Sequence, residues 1–256
     1  MAFEELPQDW LAEIETLQNC EANQQYQRIR RHQNGLRIYH SNYLQIRKHF
    51  AWYNGNYDSS KFWSSKDRIK NFKRKTNQFV FNYLSSAAAI ADLSRKFAKN
   101  ELPEDSLNQY QKAVDEKFVK NGANNFIRQM RNFVLHFDFL AVGIQAKIIP
   151  PPGSAHWIID KQDLINYAWE KEGAIFFQNQ GPKIDLFSIL ENYNEDFISL
   201  QDHLYRAVLK KYNANLMEFA AQNKNFAIKC RDKGVWPGPP LGLDKIRHLY
   251  WVLNRL

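Results

Sequence analysis

The sequence predicts a mainly α protein, a helical bundle with a small β insertion after one amphipathic motif helix. Three observations predict it. Apolar residues recur at helical spacing through most of the chain. Asn, Gly and Pro break the pattern at intervals that suit short connections. Only the stretch from Gly143 to Ile159 changes to partial alternation and short apolar runs, the mark of strands.

The elements follow in order. Pro7 to Asp9 form a helix start, with Trp10, Leu11, Ile14 and Leu17 as its apolar face. Asn34-Gly35 interrupts the pattern, and a second helical run spans Leu36 to Tyr53. Asn54 to Ser60 is a loop. One long helix is expected over Asn71–Lys99, with Phe79, Tyr83, Ala87, Ile90 and Phe97 inward. Its small residues Ser85 to Ala89 suit a close helix crossing. Ser106 to Lys120 forms a further helix, ended by Asn121-Gly122. Phe126 to Phe137 is strongly amphipathic, with Phe126, Met130, Phe133, Val134 and Phe137 on one face. A strand pair follows, split by Pro150-Pro151-Pro152-Gly153. Then come a short helix at Leu164–Glu172, a long helix or two over Ile184–Gln222, and an irregular segment around Gly234 to Pro240. A last helix, Leu243–Leu253, docks through Ile246, Leu249, Tyr250 and Leu253. The expected organisation is an N-terminal helical extension over 1–60, the bundle with its β insertion over 61–222, and a basic tail over 223–256 packed on the bundle.

Composition narrows the function classes. The chain has 256 residues, 44% hydrophobic and 14% aromatic, enough for a bulky core and against disorder. Its formal net charge is +8 and its pI about 9.3, which favours polyanionic partners: RNA, DNA or an anionic membrane surface. Cys20 and Cys230 are isolated, so no disulfide scaffold or thiol metal site is expected. No secretory signal precedes the first helix and no apolar run reaches membrane-spanning length, so a cytoplasmic protein is expected. His-Glu-x-x-His, Gly-x-Ser-x-Gly and Gly-rich phosphate loops are absent, and neither a metal nor another cofactor is expected.

Residues 61–75 hold seven basic side chains against one acid, interleaved with Phe62, Trp63 and Phe72. Cations hold phosphate and rings can stack on bases. A solvated helix start with anchoring aromatics is the alternative. Lys70, Lys73, Arg74, Lys75 and, further on, Arg128 are the candidate nucleic-acid contacts.

Arg131, Asn132 and His136 are the candidate catalytic residues. At about 100° per residue, Arg131 falls on one flank of the core face, and Asn132 and His136 on the other. Leu135 points outward between them, so a second packed surface is expected. Histidine titrates near neutrality and serves as general acid or base. A guanidinium holds phosphate, and an asparagine can bond the phosphate or orient the imidazole.

The run Phe126-Ile127-Arg128-Gln129-Met130-Arg131-Asn132-Phe133-Val134-Leu135-His136 resembles the motif helix of HEPN domains, whose signature is an Arg, commonly followed by a polar residue, and a His with four to six residues between them. The upstream Phe81-Asn82-Tyr83-Leu84-Ser85-Ser86 is also similar, as is the downstream order of β segment, Asp163-Leu164, Trp169 and Ile184-Asp185-Leu186. The resemblance spans roughly residues 70–210. It implies a bundle that is often dimeric with facing motifs, and a metal-independent endoribonuclease of toxin–antitoxin or phage-defence type. By it, Arg131 and His136 are catalytic and Asn132 accompanies them. The partners implied are RNA, a second copy of the chain, and an antitoxin or other protein. A non-catalytic RNA- or protein-binding module is the alternative.

Overall fold

The computed structural model describes residues 8–55, 64–120, 122–136, 142–147 and 154–233. The architecture is a mainly α bundle with a small sheet inserted after the motif helix. Helix α1 (Gln8–Asn19) leads through Cys20, whose Sγ accepts the Asn23 N–H, into α2 (Glu21–Asn54). Helix α3 (Lys66–Glu101) starts on Ser65, which caps the Arg68 N–H, and stops before Pro103. Helix α4 (Glu104–Val114) opens with two acids and runs into a π turn, Asp115–Val119. Helix α5 (Ala123–His136) carries the motif. Strands β1 (Val142–Lys147) and β2 (Ser154–Asp160), helix α6 (Lys171–Gln178), strand β3 (Lys183–Asp185) and helix α7 (Leu186–Asp232) complete the described chain.

Side-chain bonds fix how the long helices run. His32 to Ser94, Tyr39 to Tyr83 and His49 to Thr76 set α2 antiparallel to α3. Tyr83 to the Leu190 carbonyl, Ser94 to Gln201 and Tyr212 to Glu101 set α7 parallel to α3. The core lies between these three helices and α5, with Tyr39, Tyr83, Leu84, Met130 and Leu204 buried.

The sheet order is β1–β2–β3, antiparallel throughout, with Ile144 opposite Trp157 and Ile159 opposite Ile184. Trp157, Ile159 and Ile184 are buried, as a half-covered sheet requires. The Trp157 ring sits 5.4 Å from Phe50, 5.6 Å from His49 and 6.1 Å from Phe187, which seats the sheet on the bundle.

Several expectations are corrected. Asn34-Gly35 does not interrupt a helix: α2 is continuous. A Cβ on Gly35 would lie 2.9 Å from Leu93 and 3.0 Å from Ile90, so glycine lets α2 and α3 approach there. Its helical penalty, about 1 kcal/mol, is offset by packing. The short helix expected at Leu164–Glu172 lies later, at α6. Residues 165–170 are held irregular by bonds from Trp169 Nε1 to the Leu164 carbonyl and from Glu170 N–H to Gln129 Oε1. Ile184 belongs to a third strand that pairs with β2 rather than to the long helix. The long helix, expected to end at Gln222, runs on to Asp232. Phe137, the loop at 56–60, and the segments around Gly234 and Leu243–Leu253 lie outside the described residues.

At the far end of α7, Trp10 meets Phe226 edge to face at 6.2 Å, and Leu17 and Cys230 close a second small cluster. Lys229 pairs with Glu13 at 2.6 Å. Among the described residues, no helix is long and apolar enough to cross a membrane.

Candidate active site

Helix α5 begins where Gly122 turns the backbone to φ 70°, a conformation that glycine adopts without strain. A Cβ there would fall 2.1 Å from the Glu172 carbonyl oxygen, so only glycine fits this approach to α6. Phe126, Ile127, Met130 and Phe133 then face inward and are buried. Phe126 stacks on Trp169 at 5.0 Å, and Phe133 meets Tyr167 edge to face at 5.4 Å. Gln129 grips the backbone of Glu170 from both sides: its Nε2 donates to the carbonyl at 3.0 Å, and its Oε1 accepts the N–H at 2.7 Å. Gly173 makes room for that amide, since a Cβ would stand 2.5 Å from Nε2. The inward face of α5 is thus fixed by α3 on one side and by residues 167–177 on the other.

The opposite face carries Arg128, Arg131, Asn132 and Leu135, at the i, i+3, i+4, i+7 positions that share one side of a helix. Arg128 is exposed, Arg131 and Asn132 are half-buried, and Leu135 is 39% exposed. The Nε of Arg131 is buried and has no hydrogen-bond partner among the described residues. His136 is the last helical residue, five positions or about 7.5 Å of axial rise beyond Arg131; its side chain lies outside the described residues.

The basic segment divides. Lys70, Lys73, Arg74 and Lys75 are exposed on the first half of α3, where Arg74 donates to Asn71 Oδ1 at 3.0 Å. Phe72 is 4% exposed and stacks on His49 at 4.6 Å, so it anchors the helix and is not free to stack on a base. Phe62 and Trp63 lie outside the described residues.

Arg128 belongs to a feature that the sequence does not display. It shares with Arg95 of α3 the rim of a cleft of about 150 Å³ between α3, α4, α5 and α7. Tyr110, Phe118 and Tyr193 line it, and Asn124 and Asn125 stand at its edge. Tyr193 donates to Asn124 Oδ1 at 3.2 Å, and Asn125 donates to Glu172 Oε2 at 2.7 Å. Arg95 is paired with Asp92 on its own helix. Burial pushes the Tyr110 hydroxyl up to about 12, with Arg95 opposing the shift. In sequence, Arg95 reads only as half of an i, i+3 charge pair, and its distance from Arg128 closes through packing alone.

The remaining histidines have other surroundings. His32 is buried, with Tyr205 Oη at 2.7 Å from Nδ1 and Ser94 Oγ at 2.9 Å from Nε2. His156 Nδ1 faces Asp185 Oδ2 at 2.7 Å, while the other carboxylate oxygen caps α7 through the Ser188 N–H. Among the described residues, no three His, Cys, Asp or Glu side chains gather in a way that could hold a metal ion.

No family model, curated protein or solved structure matches this chain.

Proposed function

We propose that the chain is a metal-independent endoribonuclease of HEPN type, acting in a toxin–antitoxin or phage-defence role. The observation that carries the reading is the buried Nε of Arg131 on α5, which has no hydrogen-bond partner among the described residues. A buried guanidinium N–H without an acceptor is costly, and phosphate oxygens supply one. The resemblance of the Arg131–His136 run to the HEPN motif supports it, as do the net charge of +8 and the exposed cations of α3.

In this reading a second copy covers Leu135 and brings two motifs together. One His136 imidazole takes the proton of an RNA 2′-hydroxyl. The 2′-oxygen bonds to the adjacent phosphorus, and the bond to the 5′-oxygen breaks. The other copy's His136, in its imidazolium form, protonates that leaving oxygen. Arg131 holds the non-bridging oxygens as their charge grows, and Asn132 bonds the phosphate or holds the ring. The products are a 2′,3′-cyclic phosphate and a 5′-hydroxyl.

The test is cleavage of single-stranded or transfer RNA in EDTA, with end-group analysis. His136→Ala and Arg131→Ala are each expected to slow cutting by about a hundredfold or more while leaving the helical circular-dichroism signal intact. Cleavage at the parental rate by His136→Ala overturns the reading. A non-catalytic RNA-holding module is the second reading, favoured by the exposed Lys70, Lys73, Arg74 and Lys75. The same assay separates the two, since such a module binds RNA and leaves it whole.

A further inference from the structure

The cleft at the first turn of α5 combines features that a nucleotide-binding subsite needs. Its rim carries two arginines from different helices, Arg95 and Arg128. Its wall is aromatic, built by Tyr110, Phe118 and Tyr193. The hydrogen bonds at its edge engage the amide oxygen of Asn124 and the amide nitrogen of Asn125. Among the described residues, each amide has its other polar atom without a partner, a donor on Asn124 and an acceptor on Asn125. The volume, about 150 Å³, decides the size class. Pockets that enclose whole small ligands run from roughly 300 Å³ upward. This cleft therefore takes one ring system and leaves the attached sugar and phosphate at the rim, where the arginines stand.

Its position relative to the motif is equally telling. Arg128 lies one turn before Arg131 on the outward face of α5, and eight residues, an axial rise of about 12 Å, before His136. A strand whose phosphate is held at Arg131 can run along this face, one helical turn back, to Arg128 on the rim of the cleft.

We propose that this cleft is the base-binding subsite of the RNA substrate, seating a nucleotide that flanks the bond to be cut, with Arg95 and Arg128 on its phosphate. The proposal rests on the ribonuclease reading for its substrate class and adds what that reading lacks, a place where a base is held. Arg95 is the residue it newly assigns. Its pairing with Asp92 keeps the guanidinium at the rim in the absence of RNA and is exchanged for phosphate when RNA arrives.

The experiment measures fluorescence anisotropy of a short labelled single-stranded RNA on the full-length His136→Ala chain, so that binding is read without cutting. Arg95→Ala is expected to weaken binding about tenfold. Val119→Trp, which fills the cleft from an exposed position on its wall, is expected to do the same. Asp92→Asn frees Arg95 without touching the cleft and is expected to bind as tightly as the His136→Ala parent or more tightly, an effect that a merely structural Arg95–Asp92 pair would not give. An otherwise identical strand lacking its bases should bind the parent about as weakly as RNA binds Val119→Trp. Thermal melting confirms that each variant is folded. Equal binding by Arg95→Ala, Val119→Trp and the parent overturns the subsite, as does equal binding of RNA and the base-free strand. Absence of any RNA binding to the parent overturns it as well. RNA that binds through the cleft yet is never cut by the wild-type chain overturns the ribonuclease reading and leaves the subsite standing. RNA that is cut with an unchanged KM in both cleft variants removes the subsite alone.

Discussion

His32 shows what a single buried side chain does to the pH dependence of this fold. It is 1% exposed, stacked on Phe97 at 4.4 Å, and held by Tyr205 and Ser94. Burial lowers its pKa from 6.5 to about 4. The folded chain therefore binds fewer protons than the unfolded chain between those values. Stability is full above pH 6.5 and falls as the pH drops toward 4, by about 3 kcal/mol for this one group. His49, lowered to about 4 chiefly by desolvation, adds to the same slope. Urea midpoints measured from pH 7 to 4 should decline, and His32→Gln should flatten that decline while lowering stability at pH 7. An equal slope in the variant would assign the acid sensitivity elsewhere. Nothing in the residues next to His32 marks it as a core residue, because its partners lie 62 and 173 positions away.

At the scale of elements, α5 and α6 form one unit. Gly122, Gln129 and Gly173 hold it through backbone contacts that a methyl group would break. Gly122→Ala combines left-handed strain with a clash on the Glu172 carbonyl and should cost more than about 2 kcal/mol. Gly173→Ala has a milder conflict, pushing the Gln129 amide off Glu170 at about 2 kcal/mol. Thermal melts of the two variants would rank them, and a neutral Gly122→Ala would refute the geometry given for this junction. The amphipathic period of α5 was readable in sequence because Phe126, Met130 and Phe133 repeat at helical spacing. The same reasoning placed Leu135 on the outward face. It failed at Gly35, where a residue that often ends helices serves a close crossing, and at β3, where Lys183–Asp185 is too short for alternation to register. The cleft was illegible for a third reason. Its lining comes from four helices, and no local pattern ties Arg95 to Arg128.

Over the whole molecule, α7 serves as the common strut. Its first half touches the sheet, α2, α3 and α4, whereas its last turns bury Phe226 and Cys230 against α1. The two ends therefore rest on different supports. Trp10→Ala should remove about 3 kcal/mol from the α1 junction alone. Hydrogen exchange should then speed up in α1 and around Phe226 while leaving Leu190 to Val208 protected. Uniform acceleration along α7 would show instead that the helix opens as one body.

Leu135 has a consequence at the level of the cell. It is 39% exposed on the helix face that also carries Arg131. In the proposed two-copy site, a lone chain holds half of the chemistry. Below the dissociation constant of the pair, the amount of complete site rises with the square of the chain's abundance. Halving synthesis then cuts activity fourfold. In that reading the protein is near silent when scarce, and its activity grows faster than its abundance through mass action alone.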